Sequence, residues 1–233
     1  MKIHFVVLLL CLASSMFAQA KETIRVGFIE YPPLVISSGD GVAQGPLIDY
    51  LEQNLAPAFD VVWVKIPFGR VRWGFANNYI DAFPFYVHTP EREAWANFPD
   101  KPFLSFQSII CSRLDHERPA AQLLALPEDM FDAKLVFPLN SEYVFPFLHS
   151  PRLELIKLEY THYKKRALAL LDLGRVDYVM FPSSDGVQPA VRDKLSCSDV
   201  GERQTVFFTS RKGYPHTDKL EKTLESFVPF DYY

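Results

Sequence analysis

Short apolar runs alternate with amphipathic stretches along the first half of the chain. These runs, rich in β-branched and aromatic residues, predict strands at residues 24–29, 59–66 and 80–85. Apolar side chains at helical spacing predict helices over residues 47–55 and 69–78. Because strands and helices alternate, we expect right-handed crossovers and a mostly parallel sheet in an α/β fold.

The same alternation continues in the second half. Apolar runs predict further strands at residues 108–111, 135–139, 155–158, 176–181 and 205–209. Helical spacing predicts helices over residues 164–173 and 218–227, and Gly174 suits a helix C-cap. Ser141 can cap a further helix, which we expect to be short or kinked because it contains Pro146. This repetition of the pattern implies two lobes, and residues 117–132 form a polar connection between them.

The first twenty residues have the pattern of a secretory signal peptide. Lys2 supplies a basic start, residues 5–13 form a nearly unbroken apolar run, and residues 18–20 suit cleavage after Ala20. A membrane anchor is the alternative, but the run is shorter than the roughly 20 apolar residues that a span needs. A lipoprotein anchored through Cys11 fits less well, because the neighbouring residues do not form a lipobox. We therefore expect the mature chain to be exported.

The composition is that of a globular protein. Of 233 residues, 48% are hydrophobic and 22% are charged, which excludes a disordered or collagen-like chain. The net charge of -4 argues against nucleic acid as a partner, since phosphate binders usually carry a basic excess. Cys111 and Cys197 remain after cleavage, and either a disulfide or two buried free thiols fits them. Neither cysteine has metal-ligand spacing around it, so we expect no metal site and no cofactor.

Seven short motifs follow one another along the chain. They are Ile24-Arg25-Val26-Gly27, Tyr31-Pro32-Pro33, Gly45-Pro46-Leu47-Ile48-Asp49, Pro67-Phe68-Gly69-Arg70, Asn77-Asn78-Tyr79-Ile80-Asp81-Ala82, Thr89-Pro90-Glu91-Arg92 and Leu173-Gly174-Arg175-Val176-Asp177. In this order they resemble the family 3 bacterial extracellular solute-binding proteins, the periplasmic components of polar amino acid importers. The resemblance implies a type II periplasmic-binding fold, with two lobes that are joined by two crossings and close on a small solute. It places lobe 1 at residues 21–106 and 207–233 and lobe 2 at residues 107–206.

The resemblance also implies a ligand site formed largely by first-lobe residues. Arg92 grips a ligand carboxylate through its planar guanidinium, and Thr89 opens the same Thr-x-x-Arg segment. Tyr31 stacks on the ligand, and Phe68 packs on its side chain. Ordinary roles remain open as alternatives, with Arg92 pairing with an acid such as Glu91 and the aromatic residues serving core or rim packing. If Arg92 holds the ligand, replacing it by alanine abolishes binding while leaving folding nearly intact.

The resemblance also bears on which ligand is bound, through positions in both lobes. Asn140 and Ser141 stand at a helix start and can donate to an anion, although a capping role alone also fits Ser141. Val87 occupies a position where amino acid binders carry a hydroxyl, and Pro182 one where an acid pairs with the α-ammonium. Asp185 replaces that acid only if its loop folds inward. A carboxylate-bearing or aromatic solute without the amine is therefore a second option, and loss of ligand binding is a third.

The expected function is capture of a small, amino-acid-like carboxylate by a monomeric periplasmic protein, in the service of an ABC permease. A ligand-binding partner of a membrane sensor has the same sequence features and remains an alternative. A periplasmic dehydratase on this fold is a further one, for which His88 and Glu142 are the candidate acid and base. The sequence contains no Gly-x-Ser-x-Gly elbow, His-Glu-x-x-His site or phosphate loop, so we expect no enzyme of those classes.

Overall fold

Strands make up most of the regular structure in the computed structural model, which describes residues 21–39, 41–121, 132–139, 145–160, 162–182 and 193–230. The strands are β1 (Glu22–Phe28), β2 (Ile36–Ser37), β3 (Ala43–Gln44), β4 (Phe59–Lys65), β5 (Ala82–Val87), β6 (Ala96–Asn97), β7 (Leu104–Arg113), β8 (Ala133–Pro138), β9 (Leu153–Leu158), β10 (Tyr178–Pro182) and β11 (Leu195–Arg211). The helices are α1 (Pro46–Leu55), α2 (Val71–Ala76), α3 (Pro90–Glu93), α4 (Tyr163–Asp172) and α5 (Thr217–Glu225). Two 3-10 turns lie at Phe68–Arg70 and Pro146–His149.

A mixed sheet connects the two halves of the described chain. Its strand order is β4-β1-β5-β11-β7-β10-β8-β9, and β6 pairs with β11 beside that path. β1 is parallel to β4 and β5, and β8 is parallel to β9 and β10. Parallel neighbours require crossover connections, so this topology confirms the predicted α/β fold.

Two long antiparallel strands carry the chain between the halves. β7 has ten residues and β11 has seventeen, and their pairing is interrupted only between Val200 and Gln204. The sequence predicted shorter strands, at residues 108–111 and 205–209, because the polar segment 201–204 is typical of a loop. Pairing with β7 overrides that local preference. The two strands are the two crossings that the sequence analysis expected.

Buried side chains form separate clusters on the two sides of these crossings. On one side, buried residues up to position 106 pack with residues from position 206 onward. On the other side, the clusters consist of residues between positions 109 and 200. This division supports the predicted lobe boundaries, which remain a prediction. Cys111 and Cys197 lie opposite each other in the second half, where a disulfide joins them in the structure.

A glycine brings the loop after β1 against the start of α1. Gly45 has a φ of 118°, and a Cβ there would stand 2.6 Å from the carbonyl oxygen of Leu34. Leu47 N donates to the same oxygen at 3.2 Å. Because only glycine tolerates this φ and this approach without strain, Gly45 holds the loop over residues 31–35 beside the sheet.

Helix boundaries differ from the predicted ones in local detail. The helix predicted over residues 69–78 is a 3-10 turn followed by α2, and Pro146 begins a 3-10 turn rather than an extended helix. Gly174 adopts a φ of 62° after α4, as a C-cap requires. Within the described ranges, no helix is long and apolar enough to cross a membrane.

Candidate functional site

A cavity lies where the two halves of the molecule meet, next to the crossings. Its volume is about 70 Å³. Its lining is mostly apolar and aromatic and consists of Ile29, Tyr31, Leu34, Phe68, Phe85, Val87, Arg92, Leu104, Phe106, Tyr160, Pro182, Gln204 and Val206. Three of the residues that the sequence analysis singled out for ligand binding, Arg92, Tyr31 and Phe68, are therefore brought together at one cavity. Concave apolar sites with a few polar groups are typical of small-molecule binding.

Arg92 reaches the cavity because its own short helix is fixed at its start. Thr89 is the N-cap of α3, and its hydroxyl accepts from the Arg92 backbone N–H at 3.2 Å. The Arg92 side chain folds back, and its Nη1 donates to the Val87 carbonyl at 2.9 Å. The guanidinium carbon lies 4.6 Å from the ring centre of Tyr86 and 5.9 Å from that of Phe68. Arg92 is thus only 5% exposed, with its charge at the cavity.

Glu91, the acid considered as an alternative partner of Arg92, faces solvent. Its Oε1 lies 3.3 Å from Nη1 of Arg72, and both side chains are 65% exposed. The guanidinium of Arg72 in turn stands over the ring of Trp95. Arg72 and Arg92, on consecutive helices, therefore have opposite environments. Arg72 lies at the surface, whereas Arg92 lies at the cavity.

Tyr31 and Phe68 lie on two loops of the first half. Tyr31 sits in a tight loop closed by backbone hydrogen bonds in both directions with Val35, at 2.8 and 2.9 Å. Phe68 opens the 3-10 turn after Pro67, and its ring packs edge-on against Phe83 and Tyr86. Both rings line the cavity, so the structure is compatible with the predicted roles.

Tyr160 is a cavity residue that sequence reasoning missed. It follows β9 in the second half, yet its ring centre lies 5.1 Å from that of Phe68 and 6.4 Å from that of Tyr31. It therefore packs against the aromatic cluster of the first half. The sequence did contain a signal for Tyr160. The residue stands just beyond the carboxyl end of a predicted parallel strand, and ligands of α/β folds bind at that end.

Gln204 is the second missed residue. It lies on β11 at the interrupted pairing with β7, and its side chain lines the cavity. Its Oε1 is buried and has no hydrogen-bond partner among the described residues. The polar run in which it stands is typical of a surface loop, so the sequence offered no signal for it.

Val87 and Pro182 both line the cavity. These are the two positions at which the sequence departs from amino acid binders. Val87 also supplies the carbonyl that holds Arg92. Asp185, which the sequence analysis considered as a substitute acid, falls outside the described residues. Among the residues that are described, Arg92 is the one ionised side chain of the lining.

Thr89 and His88, two further predicted site residues, do not line the cavity. Thr89 caps α3 and is not a lining residue. His88, the candidate base of a dehydratase, lies 3.3 Å from Glu93 at the surface and packs on Phe98. Its proposed partner Glu142, together with Asn140 and Ser141, lies outside the described residues. Within the described ranges, no cluster of His, Cys, Asp and Glu could hold a metal ion.

A second cavity, of about 90 Å³, adjoins the first, with which it shares Ile29, Phe68 and Tyr160. Two acids line it, Glu30 and the exposed Glu159. Lys65 Nζ donates to Glu30 Oε1 at 2.7 Å, and this hydrogen bond lowers the pKa of the Glu30 carboxyl. Of these two acids, Glu30 is therefore already paired with a lysine.

A buried carboxylate supports the sheet behind the cavity. Asp81 accepts hydrogen bonds from the backbone N, Nε and Nη2 of Arg25 at 2.8–3.1 Å and from Nε of Arg211 at 3.1 Å. Burial raises the pKa of Asp81, but the hydrogen bonds from the two arginines outweigh it and leave the pKa lowered. Asp81, just before β5, thereby links β1 to the end of β11 through its ion pairs with Arg25 and Arg211. We therefore assign a structural role to the motif around Asp81.

The sequence matches no protein-family model and none of the curated proteins. Solved structures match over most of its length. An ancestral arginine-binding protein bound to arginine has 20% identity and a TM-score of 0.69, over 88% of this chain and 92% of that one. An ancestral amino acid-binding protein, a precursor of cyclohexadienyl dehydratase, has 20% identity and a TM-score of 0.66, over 88% of this chain and 87% of that one. A probable amino-acid ABC transporter extracellular-binding protein from Bacillus subtilis has 16% identity and a TM-score of 0.64, over 88% and 91%.

Two of these structural neighbours are amino-acid-binding proteins, and the third is a probable extracellular-binding protein of an amino-acid ABC transporter. Their likeness confirms the expected architecture, because it extends over both halves of the chain. The chain has the two-lobed type II periplasmic-binding fold, and the cavity at Arg92 lies between its lobes.

Proposed function

We propose that this chain, with its two-lobed type II periplasmic-binding fold, is an exported protein that captures a small carboxylate-bearing solute. The amino-acid-like solute lies between the lobes and is held by hinge closure, without covalent chemistry. The observation that carries the proposal is the buried guanidinium of Arg92 at an apolar cavity between the lobes.

The charge of Arg92 determines which chemical group the cavity favours. A cation surrounded by apolar and aromatic side chains gains most from an anion, because little water is present to screen the interaction. A carboxylate matches the planar guanidinium with two parallel hydrogen bonds. Tyr31 and Phe68 enclose the apolar body of the solute and remove it from water.

The hinge follows from the way in which the crossings are built. Among the described strands, only β7 and β11 run through both halves, and their pairing is interrupted at residues 200–204, next to the cavity. Such an interruption is a point at which two paired strands can bend. Across the cavity, Tyr160 of the second half meets Phe68 of the first half, so closure brings the two lobes together on the solute.

The proposal extends to partners and to the absence of catalysis. One structural neighbour is a probable ABC transporter component, which supports an ABC permease as the membrane partner of this chain. A dehydratase needs an acid or base at the cleft. The described lining residues include neither a carboxylic acid nor an imidazole, so the proposal assigns no reaction to the site.

Thermal unfolding of the full chain, secreted with its own leader, tests the capture of a solute. The panel contains amino acids, dicarboxylates, hydroxy acids and aromatic acids. A ligand present at 100 times its Kd stabilises the native state by about 2.7 kcal/mol and raises the midpoint by about 5–10 °C. The matching amine or alcohol, which lacks the carboxylate, is the control and gives no shift. If no carboxylate raises the midpoint, capture of such a solute is refuted.

A further inference from the structure

Gln204 presents an unsatisfied acceptor to the cavity. Its Oε1 is buried and finds no hydrogen-bond partner in the part of the chain that the structure describes, although the residue lines the cavity beside Arg92. Buried acceptors are nearly always paired, so an orphan at a cleft indicates a partner that is supplied from outside. The partner that this geometry calls for is a hydrogen-bond donor on the solute.

The lining also determines what kind of donor it is. Around Gln204 the cavity is formed by apolar side chains, among them Leu104, Phe106 and Pro182. A buried ammonium needs a countercharge. No described lining residue supplies one. In the adjoining cavity Glu30 is already paired with Lys65, and Glu159 is exposed to solvent. A neutral donor such as a hydroxyl meets the acceptor without that cost.

We infer that Gln204 makes the cavity selective for a hydroxy carboxylic acid over the corresponding amino acid. The solute's carboxylate lies at Arg92, and its hydroxyl donates to Oε1 of Gln204. This inference rests on the proposed capture of a carboxylate and names the class of solute. Arg92 and Gln204 line the same cavity of about 70 Å³, and the inference requires one small molecule to contact both side chains.

The cavity also limits the size of the apolar part of the solute, and this limit is separate from the selectivity for a hydroxyl. A dry cavity of about 150 Å³ takes up a benzene ring. The present cavity is about half that size, so a short aliphatic body fits it more readily unless the lobes part further. The test therefore uses two matched triplets. One is valine, 2-hydroxyisovalerate and isovalerate, and the other is phenylalanine, 3-phenyllactate and 3-phenylpropionate.

Calorimetric titration of the full secreted chain at pH 7 compares the three members of each triplet. We expect the hydroxy acid to bind at least tenfold more tightly than the acid that lacks the hydroxyl, and the amino acid to bind most weakly. In Gln204→Met the tenfold preference disappears, while the acid without a hydroxyl keeps its affinity within about twofold. The matched control is Gln53→Met on the exposed face of α1, which keeps the preference.

A second measurement, the unfolding midpoint of the unliganded protein, shows whether Gln204→Met folds as stably as wild type. Because Oε1 of Gln204 has no partner in the described structure, an apolar side chain of similar shape does not lower the unfolding midpoint of the unliganded protein. A structural role of Gln204 predicts the opposite, a lower midpoint with an unchanged ranking of ligands.

Three results overturn the inference. They are an amino acid that binds more tightly than its hydroxy analogue, an unchanged preference in Gln204→Met, and two triplets that do not bind at all. In each case, binding of some other carboxylate from the wider panel leaves the proposed capture intact. Failure of every carboxylate refutes capture itself, so the two failures are distinguishable.

Discussion

Replacement of Arg92 by methionine removes the charge that the proposed function depends on and keeps most of the side-chain volume. Truncating one partner of a buried, hydrogen-bonded charge pair costs about 2–5 kcal/mol of binding free energy. A loss of about 3 kcal/mol corresponds to an affinity about 150-fold lower. Arg92→Lys keeps the charge but not the planar fork, so we expect an intermediate loss of about tenfold.

The same replacement affects folding, because Arg92 is nearly fully buried. The Val87 carbonyl loses its donor at 2.9 Å, and the Tyr86 ring loses the cation 4.6 Å from its centre. Each loss costs about 1 kcal/mol. A total of about 2 kcal/mol lowers the unfolding midpoint by about 4–8 °C for a chain of this size. The sequence alone suggested nearly intact folding for Arg92→Ala, and the structure replaces that expectation with a measurable loss.

Calorimetry and thermal unfolding of the same preparations separate the two effects. Arg72→Met is the matched control, since Arg72 is an exposed arginine on the neighbouring helix that also stands over an aromatic ring. We expect its affinity to stay within about twofold of wild type and its midpoint within about 2 °C. Wild-type affinity in Arg92→Met, measured with any carboxylate that the wild-type protein binds, refutes the reasoning.

Three further predictions concern other contacts. Tyr160→Ala removes two ring contacts worth about 1 kcal/mol each, so ligand affinity falls about 30-fold by calorimetry. Asp81→Asn lowers the free energy of unfolding in urea by about 3 kcal/mol at pH 7. Since the pKa of Asp81 is lowered, wild type has this contribution above the ordinary Asp pKa of about 3.9 and loses it as the pH falls through the lower folded pKa. The disulfide between Cys111 and Cys197 closes a separation of 86 residues, and its removal lowers the free energy of unfolding in guanidinium by about 2–4 kcal/mol.

Each of these predictions has a matched control. Tyr160→Phe keeps the ring and is expected to bind as wild type, so equal losses in both variants contradict a packing role. An Asp81→Asn protein whose stability falls with acid as steeply as that of wild type contradicts the assignment of that pH dependence to Asp81. For the cysteines, intact mass under denaturing conditions rises by two hydrogen masses on reduction if the bond is present. An unchanged mass indicates two free thiols.

The order of strands and helices could be predicted from the sequence because it rests on local patterns. β1, β4 and β8 are short segments rich in β-branched and aromatic residues, and this composition within each segment indicates a strand. The position of Arg92 on its helix also depends only on neighbouring residues. Thr89, Pro90 and Glu91 form the start of a helix, and this start places the arginine one turn later.

The length of the crossings could not be predicted in the same way. Residues 201–204 are glycine and polar side chains, yet they continue β11 because β7 pairs with the strand on either side of them. The energy that favours this arrangement comes from a partner about a hundred residues away in sequence. A pattern read within a window of ten or fifteen residues does not contain it.

Thus the sequence was enough for the α/β architecture, the resemblance to a binding-protein family and the arginine at the start of α3. The meeting of Arg92 with Tyr160 and Gln204 required the folded chain. These side chains come from a helix cap, a strand end and a crossing that lie far apart in sequence. Caps and periodicity depend on neighbours within one or two turns, whereas a cavity depends on how separate elements pack, and packing is a property of the whole fold.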